Sequence, residues 1–530
     1  VDSKKLKIIE SYLAFLEKHG TTPTRADLAE LGASRDGVRG HFGSMLGLKK
    51  AARKARPKSF EHLIDDSIFS RAAIKHQKEV TKQCGRFVIT TAVVGCRAFK
   101  PFLDSIKNYC KKNDAQLLIL SAADPMSVNG WTLDSHLGKE HIVLSDLALN
   151  SNVFISTIKL SAKHVDPTTG LDRIGQRSGS FIYGSPKQRL KFVATGNEKA
   201  PHAIMTTGAI TLPSYVTENY NSDRTAYIAN HDHIMGAVVV EIEDDTFFHF
   251  RQIQADTKGG FVDLDKYYLK DVIKTVRAEA FSLGDWHSGE TESTAKSAWK
   301  EICSVIKPKC LILHDVFNGL SINHHEKDNL ISLAKRQEKG LLNLELEIRQ
   351  LVKDLDELSQ WPGVEQVVIS KSNHDVFLDR WLQSGDYHKD KVNMKLGSLL
   401  AHKMICGSNP LQFAVEYYGL KNKDKVRWLD QDEPFRVAGV ELGVHGDIGS
   451  NGKRNPGMLG LEKAYGRSTT AHAHTPEILR QAYRVGTSSI LRPDFVKGAS
   501  SWVHCSSPTY SNGSRTLLNS FGGKWRLKGK

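Results

Sequence analysis

The stretch AEAFSLGDWHSGE, Ala278 to Glu290, runs from apolar residues into an acid and an imidazole two positions apart, Asp285 and His287, with Gly284 and Gly289 on either side. An apolar run that stops on such a pair reads as a buried strand delivering polar side chains at its carboxyl end. Alone, the pair is a weak signal. Asp285 could be a helix N-cap acid and His287 a turn residue. The same construction recurs downstream: KCLILHD ends on Asp315, and EQVVIS runs at once into KSNHD, with Asn373 and His374. Between these runs, ESTAKSAWKEICSVI has helical periodicity, and residues 326–360 read as one long helix stopped by Pro362-Gly363. Strand, helix, strand, helix, strand predicts a largely parallel sheet covered by helices. In such sheets, polar residues at the carboxyl ends of strands converge on one crevice.

Two further segments extend the series, GVHGD with His445 and AHAH with His472 and His474. The succession GDWHSG, HDVFNG, SNHD, GVHGD, AHAH resembles the calcineurin-like metallophosphoesterases, which include DNA nucleases of the SbcD type. That family's motifs run DxH, GDxxD, GNHD/E, H and GHxH. The resemblance spans residues 280–476. It implies an α/β fold, a four-layer metallophosphoesterase sandwich, and a site for two divalent cations. By matching position, Asp285, His287 and His474 would hold one cation with Asp315 shared. Asp315, Asn373, His445 and His472 would hold the other. His374 would stand near the leaving-group oxygen as general acid or transition-state stabiliser. Asp375 has no evident task. The chain departs from the family where glycine is usual, with His314, Ser372 and Ala471 instead, and Asn318 replaces the second acid of GDxxD. These changes are expected to shift loops without deleting ligands.

The residue types suit that chemistry. Hydrolysing a phosphodiester needs a nucleophile at neutral pH and shielding of the phosphate oxygens. A pair of cations about 3.5–4 Å apart supplies both. Carboxylate, imidazole and amide oxygen accept manganese first, or magnesium, iron or zinc, and no thiolate argues for a structural zinc.

The rest of the chain bears on which phosphoester is cut. Its 530 residues carry a net charge of +14, with 40% apolar and 25% charged residues. A basic balance favours a polyanionic partner, DNA first. No apolar run is long enough for a membrane span, the N-terminus lacks a signal-peptide pattern, and the seven cysteines are scattered without CxxC. These features predict a cytoplasmic protein that does not engage membranes. Residues 1–58 read as three short helices in a helix-turn-helix-like module, with Ser34 as an N-cap for the third. GTTPTRADLAELG, VRGHFGSM and LKKAA in it resemble the small helical repeat found beside homing endonucleases, which implies DNA contact by Arg35, Arg39, His41, Lys49, Lys50 and Arg53. Residues 59–85 read as a helical linker. Residues 86–275 read as an extra α/β region of unreadable role, opening with a β-α-β unit. Residues 276–530 form the phosphoesterase region with the basic tail FGGKWRLKGK. NHDH at Asn230–His233 reads as a polar turn rather than a metal site, and His324 and His325 read as capping the long helix.

A DNA-binding module, a basic chain and an extra domain favour a nuclease. The arrangement also resembles the early host-DNA-degrading proteins of T-odd phages, which implies host takeover in a bacterial cytoplasm. The alternatives are a phosphatase or nucleotide phosphodiesterase, or a non-catalytic DNA-binding takeover factor with a relict metal pocket. SbcD-like nucleases often form homo-oligomers, but no heptad seam marks an interface in this sequence.

Overall fold

A computed structural model describes residues 3–528, except 20, 21, 24, 61, 62, 66, 67, 69, 123–131, 162, 163, 197–199, 215–219, 324–328, 432 and 495. His324 and His325 therefore lie outside the described residues. The chain divides into two compact units. The first comprises Val1–Val193, His202–Lys274 and Arg526–Lys530, the second Ala194–Pro201 and Thr275–Trp525. Only the last part of the basic tail, Arg526–Lys530, groups with the first unit, where Leu527 donates its backbone N–H to Glu241 at 3.1 Å. No described helix is long and apolar enough to cross a membrane.

The first unit opens with helices Ser3–His19, Arg25–Glu30, Arg35–Phe42 and Met45–Ala55. Tyr12, Leu16, Val38, Leu48 and Ala52 form their common core. Sequence periodicity suggests one helix after Ser34, and the structure makes two. Ser34 caps the first by accepting from the Gly37 N–H. Gly43, at φ +70°, then turns the chain out, and Ser44 caps the second by accepting from the Gly47 N–H. A glycine followed by a serine is a stop and a start, and it overrides an amphipathic pattern. The linker is only partly helical: a short strand, Ile64–Asp65, precedes the helix Arg71–Lys82.

A β-α-β unit follows, with parallel strands Arg86–Val93 and Gln116–Ala122 joined through helix Lys100–Asn113. GAVVVEIEDDTFFHFRQIQAD is a hairpin, Gly236–Ile242 against Phe248–Gln254. Asp244 makes the turn by accepting the N–H groups of Thr246 and Phe247. NHDH serves the packing: Asp232 pairs with the buried Lys187 at 3.3 Å, and His233 donates to the Thr211 carbonyl at 2.8 Å. Burial pushes the His233 imidazole down to about 4, so it stays neutral.

The second unit is built on six strands in the order Val426–Trp428, Gln366–Ile369, Cys310–Leu313, Ala280–Ser282, His504–Thr509 and Leu518–Ser520. The first four run parallel, and the last two are antiparallel additions. Alternation sends successive side chains to opposite faces. Phe281 meets Trp299 of helix Ser293–Ile306 on one face, with ring centroids 6.4 Å apart. On the other face, Ala280, Ile312 and Val368 share an apolar cluster with Val440 and Leu442. Val440 belongs to, and Leu442 just follows, a further set of strands in this unit, in which Val440–Glu441, Ser468–Thr470 and Ala482–Arg484 run parallel. Helix Met458–Tyr465 covers that set through Met458, Leu461, Leu479 and Ala482. The expected single helix over 326–360 is broken. Gly340, at φ +70°, ends helix Leu330–Glu338, and Asn343 caps helix Leu344–Leu358 by accepting from the Leu346 N–H.

Gly284 lies between strand Ala280–Ser282 and Asp285. A Cβ there would stand 2.8 Å from the backbone of Gly486 and Thr487. The close approach lets Asp285 donate to the Gly486 carbonyl and accept from the Ser488 N–H, which fixes its position. Gly284→Ala is expected to lower stability by about 1–3 kcal/mol, the usual cost of overpacking. Denaturant unfolding would measure it, and an unchanged midpoint would refute the packing argument.

Candidate metal centre

Asp285, Asp315 and Asn373 all follow the carboxyl ends of neighbouring parallel strands, so the sheet register alone brings them close. The loops are then laced together. Trp286, His287 and Ser288 donate backbone N–H groups to His314, Asp315 and Val316 at 3.0, 2.8 and 3.1 Å. His445, His472 and His474 come from the second set of strands, where the Ala471 N–H donates to the His445 carbonyl at 2.7 Å.

Two groups of donor atoms result. In the first, Asp285, His287, Asp315 and His474 are all buried and offer one atom each within 4.8 Å of one another. His474 Nε2 is 3.0 Å from Asp285 Oδ2 and 3.3 Å from His287 Nε2, and His287 Nε2 is 3.8 Å from Asp315 Oδ2. In the second, Asn373 Oδ1 lies 2.8 Å from His445 Nε2 and 3.0 Å from His472 Nδ1. His445 Nε2 is also 3.4 Å from Asp315 Oδ2. One oxygen of Asp315 therefore faces both groups. Its other oxygen accepts the His374 backbone N–H at 3.2 Å.

Donors at about 2.1 Å from a common cation stand roughly 3–4 Å from each other, which is the spacing seen here. Among the described residues, the buried Nδ1 atoms of His287, His445 and His474 find no hydrogen-bond partner. The Asp/His group can hold a metal ion, and its oxygen and nitrogen donors fit a hard or borderline divalent cation.

The electrostatics point the same way. Burial alone would raise the Asp285 carboxyl, but the hydrogen bond and charge of His474 outweigh it and hold the group at about 2. Burial would also raise Asp315; His445, His374 and His287 together keep it far below the ordinary carboxylate range. Burial pushes His287 down to about 3, which leaves its ring neutral and able to donate a lone pair. For His445 burial acts downward, and the carboxylates of Asp315 and Asp285 override it, so its imidazole is raised.

His374 is half-buried beside this cluster, its ring 4.6 Å from that of His287. Its Nδ1 donates to the Asn318 carbonyl at 2.9 Å, so Nε2 is the nitrogen left for chemistry. Asn318 thus contributes its backbone. His314, Ser372 and Ala471 all lie outside the positive-φ residues, so a side chain costs their backbone nothing.

Three carboxylates that sequence reasoning passed over support the loops. Asp375, thought to have no task, accepts the backbone N–H groups of Phe317 and Ser372 at 3.1 and 3.2 Å and the Ser372 hydroxyl at 2.7 Å. It ties the Asp315 loop to the Asn373 loop. Burial, with Asp315 nearby, raises its carboxyl to about 7. Asp354 accepts from Trp286 Nε1 and the Ser288 hydroxyl and pairs with Lys296. Glu347 accepts the N–H groups of Leu320 and Ser321. Only the position of Asp375 one residue after His374 could have pointed to it. Asp354 and Glu347 carry no signal beyond being acids on a helix's buried side.

The cations expected to touch DNA divide. Arg35, Arg39, Lys50 and Arg53 are exposed and His41 is half-buried, but Lys49 is buried. Lys49 occupies the core side of its helix beside Leu48 and Ala52, where it offers no outward charge. Arg53 pairs with Asp65 at 3.4 Å and lies over the Phe60 ring.

His445 generates a test. Its raised imidazole carries a proton near pH 6.5, and a cation must displace it to bind. Manganese uptake by metal-free protein at that pH is therefore expected to release protons and to weaken as pH falls. Calorimetry in buffers of different ionisation enthalpy reads the release directly. Buffer-independent heat would exclude His445 as a ligand.

The chain is similar to "Protein A1" of Escherichia phage T5, with 27% identity over 475 residues that take in 84% of this chain and 83% of that protein. No family model matches the sequence, and no solved structure matches it. The likeness fits a phage origin.

Proposed function

We propose that the second unit is a metallophosphoesterase sandwich and that the protein is a two-metal phosphodiesterase that hydrolyses DNA. The observation that carries this reading is Asp315, whose Oδ2 faces His287 Nε2 at 3.8 Å and His445 Nε2 at 3.4 Å. A carboxylate oxygen shared between two sets of nitrogen and oxygen donors is what a pair of cations requires, because its charge offsets their repulsion. Asp285, His287 and His474 would complete one set, and Asn373, His445 and His472 the other. When bound, two divalent cations, manganese first among them, supply Lewis acidity and a nucleophile at neutral pH.

The chain's own groups supply the rest. Asp375 and Asp354 hold the ligand loops, so the donors keep their geometry without a cation. Hydrogen bonding of His374 Nδ1 to the Asn318 carbonyl fixes the imidazole's tautomer and aim. Its Nε2 then holds or delivers a proton at the leaving oxygen. The buried walls exclude water and strengthen each of these interactions.

DNA as the substrate is supported by the net charge of +14 and by the exposed cations of the N-terminal module. Similarity to a phage protein supports degradation of host DNA during takeover of the bacterial cytoplasm.

Asp315→Ala and His374→Ala are each expected to cut manganese-dependent cleavage of plasmid DNA by at least ~100-fold. Only Asp315→Ala should also strip bound metal, measured by elemental analysis. Equal metal loss in both variants would contradict the role given to His374. Hydrolysis of a small chromogenic phosphodiester with plasmid left intact would remove DNA as the substrate.

A further inference from the structure

The helix Arg71–Lys82 carries a feature that the proposed hydrolysis does not use. Arg71, Lys75, Lys78 and Lys82 are all exposed. They fall at intervals of four, three and four residues. At about 100° per residue, these positions lie within an arc of roughly 60° and a length of about 16 Å. Among the described residues, no carboxylate pairs with Arg71, Lys78 or Lys82. Lys75 reaches Glu79 only at 3.9 Å, with both side chains mostly exposed, a contact worth little.

The helix is also firmly seated. Ser70 caps it by accepting from the Ala73 N–H. On its inner side the buried Gln77 donates to the Ile142 carbonyl at 2.7 Å and accepts from the Leu144 N–H at 2.9 Å. Of the cations of the preceding module, Lys49 is buried and Arg53 and Arg56 pair with Asp65 and Glu17, while Arg35, Arg39 and Lys50 are exposed. A straight row of four long cationic side chains on an anchored helix, without an apolar stripe between them, matches a regular row of anions. Duplex DNA presents a phosphate on each strand for every 3.4 Å or so of helix axis, and about 16 Å spans several of them. Ordering a helix that is already fixed adds no folding cost to binding.

We propose that this face of helix Arg71–Lys82 is a contact surface for the phosphate backbone of double-stranded DNA. The partner is taken from the reading of the chain as a DNA hydrolase, but binding can be measured apart from cleavage.

The full-length chain would be titrated in chelator against a fluorescent DNA duplex over about 50–200 mM salt. In the variant Arg71→Gln, Lys75→Gln, Lys78→Gln, Lys82→Gln, affinity at low salt is expected to drop at least ~10-fold. The slope of log affinity against log salt should become shallower by about 3.6, near 0.9 for each of four lost phosphate contacts. Lys75→Arg, Lys78→Arg, Lys82→Arg should keep the wild-type slope, and manganese-dependent hydrolysis of a small phosphodiester should be unchanged in both. Circular dichroism confirms folding of each variant. An unchanged slope in the Gln variant overturns the proposal. So does an equal loss on neutralising Lys389, Lys391, Lys395 and Lys421, which would make the effect one of net charge. Tighter binding of an RNA duplex overturns the choice of DNA. If the wild type hydrolyses no phosphoester yet shows the predicted slopes, the surface stands and the hydrolase reading falls. If DNA is cut while the slopes coincide, the reverse holds.

Discussion

The interaction on which the site depends is the fixing of one carboxylate. Asp315 has one oxygen held by the His374 backbone N–H, and the other turned toward His287 on one side and His445 on the other. Rotating that carboxylate would separate the two donor groups. Its placement depends in turn on the register of the parallel strands, since Leu313 pairs with Ile369 just before the chain reaches Asp315 and Asn373. A slip of one residue would send these side chains to the opposite face.

Strands place the candidate ligands only coarsely, and buried acids on other elements finish the task. Asp375 stands at the start of helix Asp375–Gln383, and Asp354 lies within helix Leu344–Leu358. Each accepts donors from a ligand-bearing loop, so loop position is coupled to the packing of a helix. This is an expensive arrangement, because a buried carboxylate must recover its desolvation through those donors. It is also a stiff one: loss of either acid would leave N–H groups or a hydroxyl unsatisfied, rather than merely removing a contact. Metal sites use such outer partners to orient their ligands, and here the partners are in place on the protein side alone.

How far the sequence could be read follows from which interactions are local. The parallel order of the strands carrying Asp285, Asp315 and Asn373 was legible, because apolar runs separated by a helical period leave few alternatives. The nearness of His445 and His472 to Asn373 was legible only through family order, as nothing in GVHGD or AHAH fixes a partner. Breaks at Gly43–Ser44 and Gly340–Asn343 were hidden by continuous amphipathic patterns, although each carries its own stop and cap residues. Burial of Lys49 was hidden because a basic run looks alike on either side of a helix. The supports Asp375, Asp354 and Glu347 were hidden for a deeper reason. Their partners are backbone N–H groups, which every residue has, so no residue type marks them. The antiparallel hairpin in residues 236–254 was hidden likewise, its turn at Asp244 lying inside a run of strand-like residues.

The backbone at the site completes the physical picture. His287, Asp315, His472 and His474 all have positive φ, at 46°, 45°, 76° and 57°. Left-handed conformations cost side-chain-bearing residues of order 1–3 kcal/mol each, and such residues cluster where function needs them. Asp and His tolerate that region better than branched residues do. The strain is compensated by the surrounding hydrogen bonds: His287 donates to the Asp315 carbonyl, and the His474 carbonyl accepts from Val503. In each case the unusual turn is what swings the side chain off the strand direction and into the cluster. Relaxing φ to the helical or extended region would restore local comfort and carry the ligand away. Four such residues around one site, three of them buried, are hard to attribute to packing, because a packing requirement is met as well by residues in ordinary conformations. They are what is expected when side-chain direction, rather than side-chain volume, is the property being held.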